Sequence, residues 1–213
     1  MGTLTKLGHA CVRVESDDTT VVIDPGVFTA AEVVEGADAV LITHEHPDHF
    51  DPDKVGAALR AGGHVRLWAP DSVVGKLPAE LASRAQAVRH GSSFDVGGLA
   101  FTVYGSDHAV ISDDVPVITN VGYLFAGVFH PGDAFTVPDQ RVETLLLPIN
   151  APWSKVSETM AHVAAVTPAR VHPVHDALLT EAGQGVYDPH AKRRSEQVGA
   201  EYRRLAIGET VQL

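Results

Sequence analysis

The alternation of apolar and polar positions divides the chain into short strand-like runs with longer helical patterns between them. Leu4 to Leu7, Cys11 to Glu15 and Thr20 to Ile23 read as an opening meander. Asp17-Asp18 turns it and Asp24-Pro25-Gly26 stops it, because these residues favour turn geometry over a ladder. Ala39 to Ile42 is a further apolar run. Asp51-Pro52 then supplies an N-cap and a first-turn proline for a helix to about Ala61, closed by Gly62-Gly63. Val65 to Ala69 resumes a strand, and Asp71 to Leu81 is a weaker helix broken at Pro78. Strands are expected at Ala85 to Arg89, Leu99 to Tyr104, Val121 to Phe125, Val128 to His130, Thr144 to Leu147 and Val171 to Val174. Met160, Val163, Ala164 and Val166 mark an amphipathic helix before the Pro168 break. A last helix is expected to open at Asp188-Pro189 and to carry Val198, Tyr202 and Leu205, and Val211 and Leu213 close an edge. No fixed-period repeat occurs, although two β-rich halves that each end in helix fit a duplicated layout.

The chemistry concentrates at the end of the Ala39 run. THEHPDHF, residues 43–50, packs three imidazoles and a carboxylate into six positions. His44 and His46 are two apart and point the same way on an extended segment, while Pro47 redirects Asp48 and His49 toward a second position. The string reads as a metal site, with two ions rather than one, at a strand-to-helix junction where ligands commonly sit. Further ligands are expected where other strands end beside a Gly or Pro: His108 in GSDHA, Asp133 in HPGDA and His175 in HPVHD.

Composition narrows the partners. The chain has 213 residues, fitting one domain over 1–213, with 45% hydrophobic and 20% charged positions, ordinary for a globular protein. Its 16 basic against 27 acidic residues give a net charge of -11, which disfavours a broad nucleic-acid or anionic-membrane surface. A single cysteine, Cys11, excludes an intramolecular disulfide and a cysteine-based zinc site. Met1 to Ala10 lacks an apolar signal core and no run of roughly 18 apolar residues occurs, so a cytoplasmic location is the default.

HxHxDH, then a His, then an Asp in a G-D element, then a terminal His resembles the metallo-β-lactamase superfamily, from Asp24 in IDPG to His175. GHACVRVE, HPGDA and the late P-V-H are most similar to its ascorbate-phosphate lactonase-like group of metal-dependent hydrolases. The resemblance implies an α/β (α+β) chain folded as a four-layer αββα sandwich with two metals at one edge. It assigns His44, His46 and His108 to the first metal, Asp48, His49 and His175 to the second, and Asp133 to both. Imidazole and carboxylate donors suit Zn²⁺ and also accept Mn²⁺ or Fe. Two such ions can share a hydroxide as nucleophile. Asp48 is then a ligand that also orients that hydroxide, and Asp24 an acceptor that fixes one imidazole tautomer.

Other residues carry weaker expectations. His9 is a substrate contact or proton donor, or else a buried strand-end histidine; His130 supports the ligands without joining them. His172 competes with His175, and His64, His90, His162 and His190 read as surface or helix residues. Asp107 and Asp176 adjoin ligands, and Arg193, Arg194, Arg203 and Arg204 read as a solvated basic face. In PINAPWSK, Trp153 offers an apolar wall and Lys155 a cation for an anionic substrate, or both belong to a surface loop. The favoured reading is a dinuclear metal-dependent hydrolase acting on a small, anionic lactone, phosphoester or related ester. A non-catalytic metal-binding or regulatory protein and a metal-dependent nuclease are the alternatives, and a homo-oligomer is compatible with the chain.

Overall fold

A computed structural model describes residues 2–213; Met1, the first residue of the segment lacking a signal core, lies outside the described residues. Strands β1 (Gly2–Gly8), β2 (Cys11–Ser16) and β3 (Thr19–Ile23) form an antiparallel meander, to which β4 (Ala39–Leu41), β5 (Arg66–Ala69) and β6 (Ala85–Ala87) add in parallel. A second sheet repeats the plan. Strands β7 (Ser93–Val96), β8 (Leu99–Tyr104), β9 (Gly122–Phe125) and β10 (Val128–His130) are antiparallel; β11 (Thr144–Pro148), β12 (Arg170–Val174) and β13 (Glu201–Tyr202) follow in parallel. The last strand, β14 (Thr210–Gln212), returns to the first sheet and pairs with β1 at its edge.

Period-two burial decides which side of each strand faces which layer. Val21, Ile23, Leu41, Phe101, Val103, Tyr123 and Leu146 meet between the sheets. Their neighbours Val22, Val40 and Leu67 face outward onto Val55 and Leu59 of α1 (Pro52–Ala61). On the other side Leu145, Leu147 and Val171 pack with Met160 and Val163 of α3 (Val156–Val166) and Ala191 of α4 (Glu181–Gln197). The order is helix, sheet, sheet, helix, as the resemblance implies. Buried Tyr123 ties the layers, donating from its hydroxyl to the carbonyl of Ile42 across the interface at 2.8 Å.

Most expected elements are present, and the α1 caps are as read: Asp51 accepts from the backbone N–H groups of Asp53 and Lys54, with Pro52 opening the helix. The Asp71–Leu81 pattern divides at Pro78 into a single turn, α2 (Asp71–Val74), and a 3-10 segment at Ala79–Arg84. Strand β7 escapes pattern reading because this edge strand buries only Val96. The last helix is displaced toward the N-terminus. Thr180 caps it, Pro189 lies inside it, and the chain leaves it before Tyr202, which pairs in β13. The expected solvated basic face is also only part of the picture, since Arg204 is half-buried and bonds Asp188 and Asp176. Among the described residues no helix is long and apolar enough to cross a membrane.

His162 on α3 is 3% exposed rather than a surface residue, and neither ring nitrogen has a partner. Burial pushes its pKa from 6.5 down to about 4. Above pH 6.5 the ring is neutral in both folded and unfolded chains. As pH falls toward 4 the unfolded chain takes up a proton that the folded one refuses, so stability is lost, in full on the order of 3 kcal/mol. His162→Leu is therefore expected to lessen the loss of stability between about pH 7 and about pH 4.5, measured by urea unfolding. Equal losses in both proteins would count against a neutral, unpartnered His162.

Candidate metal centre

The site forms where strand ends of both sheets meet. The chain leaving β3 carries Asp24; β4 leads to His44, His46, Asp48 and His49; β8 to His108; β10 to Asp133; β12 to His175. Backbone bonds lock these segments together. His175 N–H donates to the His9 carbonyl, Ala109 N–H to that of Asp133, Val121 N–H to that of Thr43, and Val27 N–H to that of Pro47. Gly26 permits the closest approach, since a Cβ there would lie 2.0 Å from the Asp48 carbonyl oxygen. Gly132, at φ +62°, turns Asp133 inward against Thr43 and Asn120.

All seven residues expected as ligands converge. His44, His46 and His108 form one group of donors, His49 and His175 gather around Asp48 with His9, and His44 and His49 also meet Asp133. The Asp133 carboxylate is central: its oxygens lie 3.1 Å from His49 Nε2, 3.0 Å from His175 Nε2, 3.4 Å from His108 Nε2 and 3.9 Å from His44 Nε2. Asp48 Oδ2 is 3.5 Å from His175 Nε2 and 3.8 Å from His49 Nε2.

The outward nitrogen of four rings is tied to an acceptor. His49 Nδ1 bonds Asp24 Oδ2 at 2.7 Å, His108 Nδ1 the Ala109 carbonyl at 2.6 Å, and His175 Nδ1 the Asn150 carbonyl at 2.6 Å. His44 Nδ1 meets Thr43 Oγ1, whose own proton goes to Asp24. Each Nδ1 is thus the N–H side, which leaves the Nε2 lone pair facing the centre. Nε2 of His44, His49, His108 and His175, and Oδ1 of Asp133, are buried without a hydrogen-bond partner. Such a convergence of orphaned buried atoms fits divalent cations.

Asp24 and His130 support the ligands by different routes. Asp24 is fully buried and accepts from Thr43 N–H, Thr43 Oγ1 and His49. His130 accepts the Gly132 N–H on Nδ1 and donates from Nε2 to the Ala10 carbonyl, pinning the turn that presents His9. His9 accepts the Ala177 N–H on Nδ1, so its Nε2–H donates to Asp48 Oδ2 at 3.1 Å. His172 instead bonds the Arg203 carbonyl, away from the centre. Asp176 is clamped by Lys6 and Arg204, and Asp107 accepts from Ser106 without reaching His108.

The two substrate contacts expected in PINAPWSK separate. Trp153 is buried at the cleft and donates its indole N–H to Asp133 Oδ2 at 2.8 Å, a polar role beyond the apolar wall expected of it. Lys155 lies exposed outside the residues that line the cleft; its backbone N–H bonds Glu158 at the start of α3. Sequence reading missed Thr43, although it stands inside the histidine string, and Asn120, whose side chain holds Asp133 N–H and the Pro131 carbonyl. No local pattern marks Asn120.

A two-sheet sandwich with a histidine–aspartate centre at its strand ends defines the class of protein. The chain belongs to the Beta-lactamase superfamily domain family, which matches residues 3–175. It is 37% identical over 191 residues to Protein Rv0786c of Mycobacterium tuberculosis, covering 86% of this chain and 88% of that one. It is 28% identical over 224 residues to UPF0173 metal-dependent hydrolase MK1542 of Methanopyrus kandleri, covering 92% of each. The metallo-beta-lactamase fold protein YhfI of Bacillus subtilis superposes with a TM-score of 0.75 at 15% identity, over 99% of this chain and 98% of that one.

The buried carboxylates bias the imidazoles beside them toward the protonated form. Burial alone would lower the pKa of His175, but the Asp133 carboxylate overrides it and holds it up at about 9; His49 is raised in the same way by Asp133 and Asp24. Cations that bind these rings must displace those protons. Metal loading at neutral pH is expected to release at least one proton per chain, and apparent affinity to fall as pH drops. Titration calorimetry in buffers of differing ionisation enthalpy reads the proton count; none released would contradict the His–Asp133 pairing.

Proposed function

We propose that this chain is a dinuclear metal-dependent hydrolase. His44, His46 and His108 would hold one divalent ion, Asp48, His49 and His175 the other, and Asp133 would contact both. The observation that carries the reading is the set of four imidazole Nε2 atoms and one carboxylate oxygen, buried without partners around a common point. A relative named as a metal-dependent hydrolase supports it. The nitrogen and oxygen donors favour Zn²⁺, with Mn²⁺ or Fe compatible. Cys11 is fully buried in the core, where burial pushes its thiol far up, so it is neither ligand nor nucleophile.

When bound, the ions supply Lewis acidity, lowering the pKa of a water and polarising the oxygen of the scissile group. The protein supplies orientation. Asp48 is partly open to the cleft, and although burial would raise its pKa, the neighbouring imidazoles of His175 and His9 hold it well below the usual carboxylate range. It therefore stays an acceptor and aligns the attacking water on its oxygens. His9 is kept neutral by burial and steadies Asp48 by donating its Nε2–H to Asp48 Oδ2. Asp24 holds His49 in the tautomer with Nε2 inward, and Trp153 fixes the Asp133 carboxylate plane. Among the described residues no lysine or arginine lines the cleft, which does not favour the nuclease alternative.

Elemental analysis of reconstituted protein is expected to give two metals per chain. Asp133→Asn should weaken both sites and His108→Ala chiefly one. Asp24→Asn should cost about ten- to a hundredfold in affinity at the His49 site by freeing its tautomer. A ceiling of one metal in wild type would refute the dinuclear assignment.

Activity is tested by hydrolysis of lactones, phosphodiesters and carboxylic esters by metal-loaded protein against a chelated control. His9→Gln is expected to reduce kcat well beyond any loss of metal content. Equal turnover would leave His9 a purely structural residue.

A further inference from the structure

The cleft over the centre differs from the anion-binding pocket that Lys155 suggested. It encloses about 300 Å³, with His46, Asp48, Asp133 and His175 on its floor. Its walls come from separate loops: Val27 and Phe28 beyond β3, Ile111 beyond β8, Pro152 and Trp153 beyond β11, and Leu178 beyond β12. Val27 is 51% exposed, Phe28 46% and Leu178 62%. Large apolar side chains held open around a polar floor mark a binding surface rather than a core.

Nearby cations are already committed. Lys54 is buried under the Phe28 loop, with Nζ donating to Gly26 and Thr29 carbonyls and Thr29 Oγ1. Lys6 and Arg204, on the far side of His9, both bind Asp176. Among the described residues none that lines these walls is a lysine or arginine, so a carboxylate there would lose hydration against apolar surface.

We propose that the substrate carries an uncharged, apolar arm, seated between Phe28, Ile111, Trp153 and Leu178 while its hydrolysable bond lies over the metals. This rests on the hydrolase reading and adds the class of molecule: an acyl or aryl-bearing neutral ester or lactone. Continuity with the centre is what commits the apolar walls to a substrate.

The test measures cleavage and binding separately in the full-length, metal-loaded protein. Cleavage is followed with 4-nitrophenyl acetate, butyrate, hexanoate and octanoate and with a carboxylate-ended ester of matching length. Binding is followed by calorimetry with straight-chain hydroxamates of the same lengths and their carboxylate-ended counterparts. Both kcat/KM and hydroxamate affinity are expected to rise about fourfold per buried methylene, and the carboxylate ends to lose that gain. Leu178→Lys, at an exposed position, should turn the preference toward carboxylate-ended arms with metal content unchanged.

Affinity that is absent, independent of arm length, or greater for carboxylate ends would overturn the proposal. Hydroxamate affinity that climbs with arm length while no ester is cleaved would uphold the apolar arm and refute the hydrolase reading instead. A dimer detected by sedimentation and dispersed by Leu178→Lys would assign the walls to a second copy of the chain, again overturning the proposal.

Discussion

Asp133 is only 2% exposed, and an ionised carboxylate buried without compensation costs several kcal/mol. The surroundings of this one group organise the strand ends. Asn120 fixes its backbone, Trp153 donates to one oxygen, and four imidazoles aim Nε2 toward it. The carboxylate in turn raises the pKa of His49 and His175 against the effect of their burial. Divalent cations would supply the same compensation more strongly. The need to neutralise a buried carboxylate and the ability to bind metal are thus one electrostatic constraint.

That constraint depends on a rigid support, and the support lies in the two sheets. Leu41 and Ile42 are fully buried, Tyr123 holds the Ile42 carbonyl from the opposite sheet, and Asp24 grips Thr43 by both backbone and hydroxyl. The histidine string is consequently held from both layers. His9, Asp24 and His175 all adopt positive φ, at 46°, 53° and 57°. Non-glycine residues hold that conformation only where the surroundings over-determine it. Here paired bonds do so: His175 N–H on the His9 carbonyl, and Ala177 N–H on the His9 ring.

Legibility followed the range of the forces involved. Strand runs and the α1 caps are local patterns, and the sequence reading of them holds. The ligand set was visible because a metal centre needs particular donor types just beyond strand ends, and His44 to His49 lie in one string. What pattern reading missed depends on contacts distant in sequence. Asn120 meets Asp133 with no local signature, and Trp153, expected as an apolar wall, also donates to Asp133 from twenty residues away. His162, read as a surface or helix residue, does lie on a helix, but its spacing says nothing of the layer packed over it. The last helix was misplaced because Pro189 was read as a start, whereas Thr180 supplies the cap a turn and more earlier.

The division of labour between strand ends and loops bears on selectivity. His44, His49, His108 and His175 are buried and bonded on their far side, so substituting them disturbs folding, charge balance and chemistry together. Val27 and Phe28 on one loop and Leu178 on another are exposed and take no part in the hydrogen-bond scaffold through their side chains. Their replacement alters the shape and polarity of the cleft while the electrostatics around Asp133 stay intact. A chain built this way can change the molecule it accepts by surface substitutions alone, with the costly buried carboxylate and its histidines left in place.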